Sequence, residues 1–87
     1  MHDSLLLYKI AANLQRICDE NHMGKITEAV IQVSYNSHID SRDLYEHLTE
    51  IIPKLVDDST IITVEKAELE DQTAVIYMLK GDGIETE

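Results

Sequence analysis

The chain has 87 residues, 44% of them hydrophobic and 28% charged, which is an ordinary composition for one soluble globular domain. Seven Lys and Arg against seventeen Asp and Glu give a formal net charge of −10, and this balance repels phosphate backbones and anionic lipid surfaces. The composition therefore disfavours nucleic acid and membranes as partners, and the lack of Trp and Phe removes the aromatic platforms on which single-stranded bases stack.

The first segment predicts an amphipathic helix from about Ser4 to about Glu20, capped by Asp3 or Ser4. Apolar side chains recur there at intervals of three and four residues and form one stripe, made of Leu7, Ile10, Leu14 and Ile17 with Ala11 and Cys18 beside them. Gly24 is expected to provide the break after this helix.

A strand and a second helix are predicted next. From Lys25 to Tyr35 apolar and polar residues alternate, which is typical of a strand with one buried face, here Ala29, Ile31, Val33 and Tyr35. After a turn at 36–38, Asp40 or Ser41 is expected to cap a helix that carries Leu44, Leu48, Ile51 and Ile52. Pro53 is expected to end or bend that helix.

Two β-branched runs, Ile61–Val64 and Ala74–Leu79, predict two further strands, and the polar residues 70–73 between them predict the tip of a hairpin. The order helix, strand, helix, strand, strand predicts an α+β fold, a small two-layer sandwich with both helices on one face of a three-stranded sheet. Residues 1–80 are expected to form this single domain and residues 81–87 a flexible acidic tail. The helices are expected to pack on Ala29, Ile31, Val33, Ile62, Val64, Val75 and Tyr77.

No residue pattern indicates a catalytic centre, so the chain is predicted not to be an enzyme. The serines fall in predicted caps and turns, and neither a glycine-rich phosphate loop nor a metalloprotease histidine pair occurs. Cys18, the single cysteine, cannot form an internal disulfide, which suits a reducing compartment. Since the chain also shows no signal-peptide pattern, it is predicted to be cytoplasmic.

The histidines are not equivalent. His22 follows the first helix and His38 lies in a turn, so both are interpreted as ordinary solvated residues. His47 is four residues after Asp43 on the second helix, and this spacing permits either a surface ion pair or half of a metal site, with the ordinary interpretation favoured.

The segment Met1-His2-Asp3 predicts a metal chelate. The α-amine of Met1, the backbone nitrogen of His2 and the imidazole of His2 can close two fused chelate rings around one cation, and Asp3 can add its carboxylate or its amide. Three nearly coplanar nitrogens favour Ni(II) or Cu(II). Proteins with this beginning also bind metals adventitiously, so the spacing alone leaves both interpretations open.

Four features together resemble the HypA family of hydrogenase nickel-insertion proteins, whose members begin Met-His-Glu. They are the opening MHDSL, the amphipathic helix, the strand KITEAVIQV at 25–33 and the helix opening IDSRDL at 39–44. The likeness extends to about Val64. It implies that Met1, His2 and Asp3 bind nickel transiently in a non-enzymatic metallochaperone for hydrogenase maturation. It also implies a protein partner such as a maturation GTPase or the hydrogenase large subunit.

This chain departs from the HypA family in two respects. HypA proteins have a second domain in which two cysteine pairs hold a structural zinc, whereas here the predicted hairpin stands in its place. With Cys18 as the only thiol, no structural zinc is expected. Asp3 in place of Glu shortens the carboxylate by one methylene.

A second hypothesis is a metal-free protein-interaction module on the same scaffold, docking through an exposed sheet edge. The two hypotheses differ in the effect that they predict for the loss of His2. If the chain is a metallochaperone, losing His2 abolishes nickel binding, while losing His38 or His47 matters much less.

Overall fold

A computed structural model describes residues 4–83 and confirms the predicted α+β class and element order. The elements are α1 (Ser4–Glu20), β1 (Met23–Ser34), α2 (Ser41–Ile51), β2 (Ile61–Ala67) and β3 (Ala74–Gly83). Buried residues of both helices form one cluster with the alternate β1 residues Ala29, Ile31 and Val33. Both helices therefore cover the same face of the three-stranded sheet.

The bounds of α1 agree with the prediction, but its buried stripe begins one residue earlier. Leu6 is buried, four residues before Ile10, whereas Leu7 is only partly buried. The prediction for the residue after the helix is wrong, because His22 and not Gly24 adopts the left-handed backbone conformation, with φ 55°. Gly24 already lies within β1.

Local sequence signals place α2 correctly. The Asp40 carboxylate accepts a hydrogen bond of 2.8 Å from the backbone N–H of Asp43, so Asp40 is the N-cap. The helix ends at Ile51, two residues before Pro53, as predicted.

The sheet order β2-β1-β3 contradicts the predicted hairpin between the last two strands. β2 pairs parallel with β1, and β3 pairs antiparallel with the other side of β1. The connection at 68–73 crosses the end of β1, where Asn36 Nδ2 donates to Asp71 Oδ1 at 3.1 Å. Six residues easily cover the roughly 10 Å of two strand spacings, so a connection of hairpin length also reaches the far edge of the sheet.

The predicted inner face of β3 is wrong. Val75 and Tyr77 are 39% and 66% exposed, and the residues that pack on the core are Ala74, Ile76 and Leu79. A β-bulge explains the spacing, because the pairing passes from Val30–Met78 directly to Ile31–Ile76 and leaves Tyr77 as an extra residue. Ile62 is buried and Val64 partly buried, as predicted.

The C-terminal ends of β1 and β3 also differ from the prediction. Tyr35, predicted to be on the buried face of β1, is 68% exposed because β1 ends at Ser34 and a turn follows. Residues 81–83, expected in the tail, belong to β3, where Gly81 pairs with Ile26. A Cβ at Gly81 would collide with the backbone oxygen of Lys25, so this pairing needs glycine. Residues 84–87 lie outside the described residues.

Candidate metal-binding site

The predicted ligands Met1, His2 and Asp3 lie outside the described residues 4–83. The first described residue, Ser4, begins α1 and lines a cavity of about 390 Å³. This cavity lies among the start of α1, the segment before α2 and one side of α2, and its lining residues are Ser4, Leu7, His38, Ile39, Asp43, Glu46, His47 and Glu50. The residue that follows the predicted chelate therefore shares a cavity with two histidines.

The cavity contains mostly nitrogen and oxygen donors. His38 and His47 supply two imidazoles, and Asp43, Glu46 and Glu50 supply three carboxylates. Glu46 is already engaged, since its Oε2 accepts a hydrogen bond from Arg42 Nε at 3.2 Å. Imidazole and carboxylate groups suit divalent transition metals, and the surplus of carboxylates attracts cations.

His47 has an unusual environment. The side chain is half-buried, its Nε2 has no accessible surface, and no hydrogen-bond partner for that atom lies within residues 4–83. Its ring meets the Tyr8 ring of α1 edge-on, with centroids 5.0 Å apart and planes at 80°. An unpaired buried polar atom costs about 1–3 kcal/mol, so a partner for this nitrogen is energetically favoured. The sequence permits an ion pair between His47 and Asp43, and Nε2 makes no hydrogen bond to that carboxylate.

The described side chains do not complete a metal site by themselves. Among residues 4–83, no group of three or more His, Cys, Asp or Glu side chains is arranged to hold a metal ion. A metal at this cavity would therefore need donors in addition to its lining side chains.

The other two candidate groups lie elsewhere. His22 is exposed after the end of α1, and Ser4 begins that 17-residue helix, so roughly 25 Å of helix separates the two. Cys18 is fully buried and faces the core, as predicted. Burial, with a smaller contribution from the charge of Asp19, raises the pKa of the Cys18 thiol, which disfavours the thiolate form that metals bind.

The sequence contained only part of the signal for this cavity. The spacing of Asp43 and His47 places both on one side of α2, but nothing in the chain order indicates that His38 and the start of α1 meet them.

Among the helices described in residues 4–83, none is both long and apolar enough to cross a membrane.

Comparison with protein-family models, with curated proteins and with solved structures produces no match to this chain. The resemblance to HypA proteins thus stays a prediction based on the residues quoted above.

Proposed function

We propose that this chain is a small non-enzymatic metallochaperone that binds Ni(II) at Met1, His2 and Asp3 and transfers it to a protein partner during maturation of a metalloenzyme, as the resemblance to HypA proteins implies. The observation that supports the proposal is the cavity at the start of α1. Ser4, the residue next to the predicted chelate, lines it together with His38 and His47.

The reach of the chain favours the same conclusion. Three residues span at most about 10 Å. A segment of this length before Ser4 is long enough for nitrogen donors at Met1 and His2 to reach the cavity that Ser4 lines. Nickel is the cargo of such a protein and must leave again. A site built at a chain terminus can exchange its ligands one at a time with those of an acceptor.

The net charge of −10 supports the choice of cargo and of partner. An acidic surface raises the local concentration of cations and favours a partner with a basic surface. We propose a cytoplasmic acceptor such as a maturation GTPase or the hydrogenase large subunit.

Calorimetric titration of untagged protein with Ni(II) tests the proposal. We expect a stoichiometry of about 1:1, and we expect His2→Ala, or one residue added before Met1, to abolish the strong binding phase. His22→Asn is the matched control, because it removes an exposed imidazole elsewhere and keeps a residue that tolerates the positive φ. Unchanged nickel affinity in His2→Ala would overturn the proposal.

A second candidate is the metal-free protein-interaction module. The observation that favours it is the sheet itself, because β2 and β3 are both edge strands and exposed Ile61, Val75 and Tyr77 lie on them. If this alternative is correct, the protein partner binds equally well to chelator-treated and nickel-loaded protein. Binding that requires Ni(II) would exclude it.

A further inference from the structure

We infer that the groove between α1 and the free edge of β3 binds an extended peptide segment of a partner protein, which joins the sheet as a strand antiparallel to β3. This segment has an apolar side chain that enters the groove and, toward its C-terminus, a Lys or Arg. None of the residues of the groove belongs to the predicted chelate, so the inference goes beyond nickel binding. It also specifies which sheet edge the metal-free interaction module, the second candidate function, uses.

The two edges of the sheet differ in how far their backbone is covered. At the β2 edge, Ser41 Oγ at the start of α2 accepts a hydrogen bond of 2.8 Å from the backbone N–H of Val64. For β3, no loop and no side chain of residues 4–83 makes such a bond to the strand backbone. This strand has ten residues and is the last in the order β2-β1-β3. Its outer side therefore offers a row of backbone groups to an added strand.

A second cavity, of about 220 Å³, lies beside this edge. We call it the β3 cavity; it is lined by Leu6, Lys9, Ile10 and Asn13 of α1 and by Gln72, Thr73, Ala74 and Ile76. Ala74 and Ile76 face the helices, and alternate side chains of an added strand face the same way. Leu6 and Ile10 form the apolar part of the opposite wall. An apolar side chain of the added strand therefore gains from leaving water for this cavity.

The charges near the groove favour a basic segment and give it a direction. Residues 67–79 include Glu68, Glu70 and Asp71 but no Lys or Arg. Glu68 and Glu70 are exposed, and neither has an ion pair within residues 4–83. An antiparallel strand ends where β3 begins, so its C-terminal residues lie near these carboxylates. A Lys or Arg at that end is attracted to them.

A second copy of this chain fits the groove less well. Each copy has a net charge of −10, so two copies repel each other. In an antiparallel pair of β3 strands, the end of one strand meets the acidic start of the other. That end carries Lys80 and Asp82, whose charges cancel, so it brings no net positive charge to the carboxylates.

A displayed library of random peptides, selected on the full-length protein, tests the inference. We expect the enriched sequences to alternate apolar and polar residues, with Lys or Arg after the apolar positions. Fluorescence anisotropy measures the affinity of the same peptides in solution. Hydrogen exchange of the backbone amides of β3 should slow in the complex, because the added strand pairs with them. Lack of enrichment, a different sequence pattern or unchanged exchange in β3 would overturn the inference.

Filling the β3 cavity should block the peptide. Ala74→Phe should lower the affinity by about tenfold or more, because it excludes an apolar side chain from burial. Ala67→Phe is the matched control, since Ala67 is also half-buried but lies on the other edge strand. Thermal unfolding shows whether each variant is folded. If Ala74→Phe is unfolded, Thr73→Phe, which adds a ring to the same cavity, replaces it, and unchanged affinity in the folded variant contradicts the inference.

A charge reversal tests the direction of the bound segment. Glu70→Lys should weaken binding by roughly two- to fivefold, the usual contribution of an exposed ion pair. The loss should shrink at high salt. Glu50→Lys changes the net charge equally but lies on α2, and it should leave the affinity unchanged. Equal losses in the two variants would show that only the overall charge matters and would refute the proposed direction.

The remaining outcomes separate this inference from the proposed function and from self-association. Peptide affinity should be the same in His2→Ala and in the wild type. Full nickel binding in His2→Ala, together with a peptide bound at β3, overturns the proposed function and leaves the inference standing. Sedimentation that shows a dimer, which Ala74→Phe dissociates, would identify the occupant as a second copy and overturn the inference.

Discussion

Two polar clusters of this molecule differ in how completely their hydrogen bonds are made. The loop before β2 is a closed network, in which Lys25 Nζ lies 2.8 Å from Asp57 Oδ2 and donates to Ser59 Oγ at 2.7 Å. Ser59 N and Oγ both donate to Asp57 Oδ1, at 2.8 and 2.7 Å. Thr60 Oγ1 donates to the backbone oxygen of Ile26 at 2.7 Å and accepts from Asp57 N at 3.1 Å.

The cavity at the start of α1 differs in one atom. Three carboxylates and two imidazoles line it, and His47 Nε2 has no hydrogen-bond partner in residues 4–83. A network whose groups are all paired stabilises the fold. A buried atom without a partner contributes no such stability and costs free energy instead. The two clusters therefore differ in what they contribute to the stability of the fold.

The largest expected effect is stabilisation by nickel. Ni(II) at about 100 times its dissociation constant should stabilise the wild type by about 2.7 kcal/mol. For a domain of this size, that corresponds to a rise of roughly 10–20 °C in thermal midpoint. Scanning fluorimetry with and without Ni(II) measures the shift. An equal shift in His2→Ala would show that the metal binds elsewhere.

Thr60→Val should destabilise the protein by about 1–3 kcal/mol, because the loss of the hydroxyl leaves the Ile26 carbonyl and the Asp57 amide without that partner in a buried place. Urea unfolding provides the measurement. The matched variant at the cavity, His47→Phe, removes an atom that is already unpaired. Its free energy of unfolding in the absence of metal should therefore fall much less than that of Thr60→Val, and an equal or larger loss would contradict the comparison.

Asp57 should make the closed network sensitive to acid. Hydrogen bonds from Lys25 and then from Ser59 lower the pKa of the Asp57 carboxyl from its ordinary 3.8 to about 2. Because the folded-state value is the lower one, the stabilisation is present above about pH 4 and is lost as the pH falls toward 2. The midpoints of wild type and Asp57→Asn should differ at pH 5 and converge near pH 2. A difference that is constant over this range would show that the ionised carboxylate is not the cause.

The smallest expected effect is that of a chelator on the metal-free fold. The core described above is apolar and Cys18 is buried within it, so we expect no stoichiometric zinc in purified protein and no change in thermal midpoint with EDTA. Elemental analysis and thermal scans check both. A midpoint that falls with EDTA and returns with zinc would reveal a structural metal site.

Features that depend on neighbours within a few residues could be predicted from the sequence. The bounds of α1, a cap at Asp40 or Ser41 and the end of α2 before Pro53 are of this kind, because helical periodicity, side-chain capping and the missing N–H of proline all act locally. The α+β class follows in turn from the order of these elements.

Features that join distant residues were decided only by the tertiary structure. The order β2-β1-β3 depends on which strand edges meet, and a connection of six residues allows either a hairpin or a crossing. The bulge at Tyr77 reverses the alternation that the sequence predicts for β3. His38 and His47 reach one cavity with Ser4 because α1 and α2 pack on the same face of the sheet, and the number of residues between them carries no information about that packing.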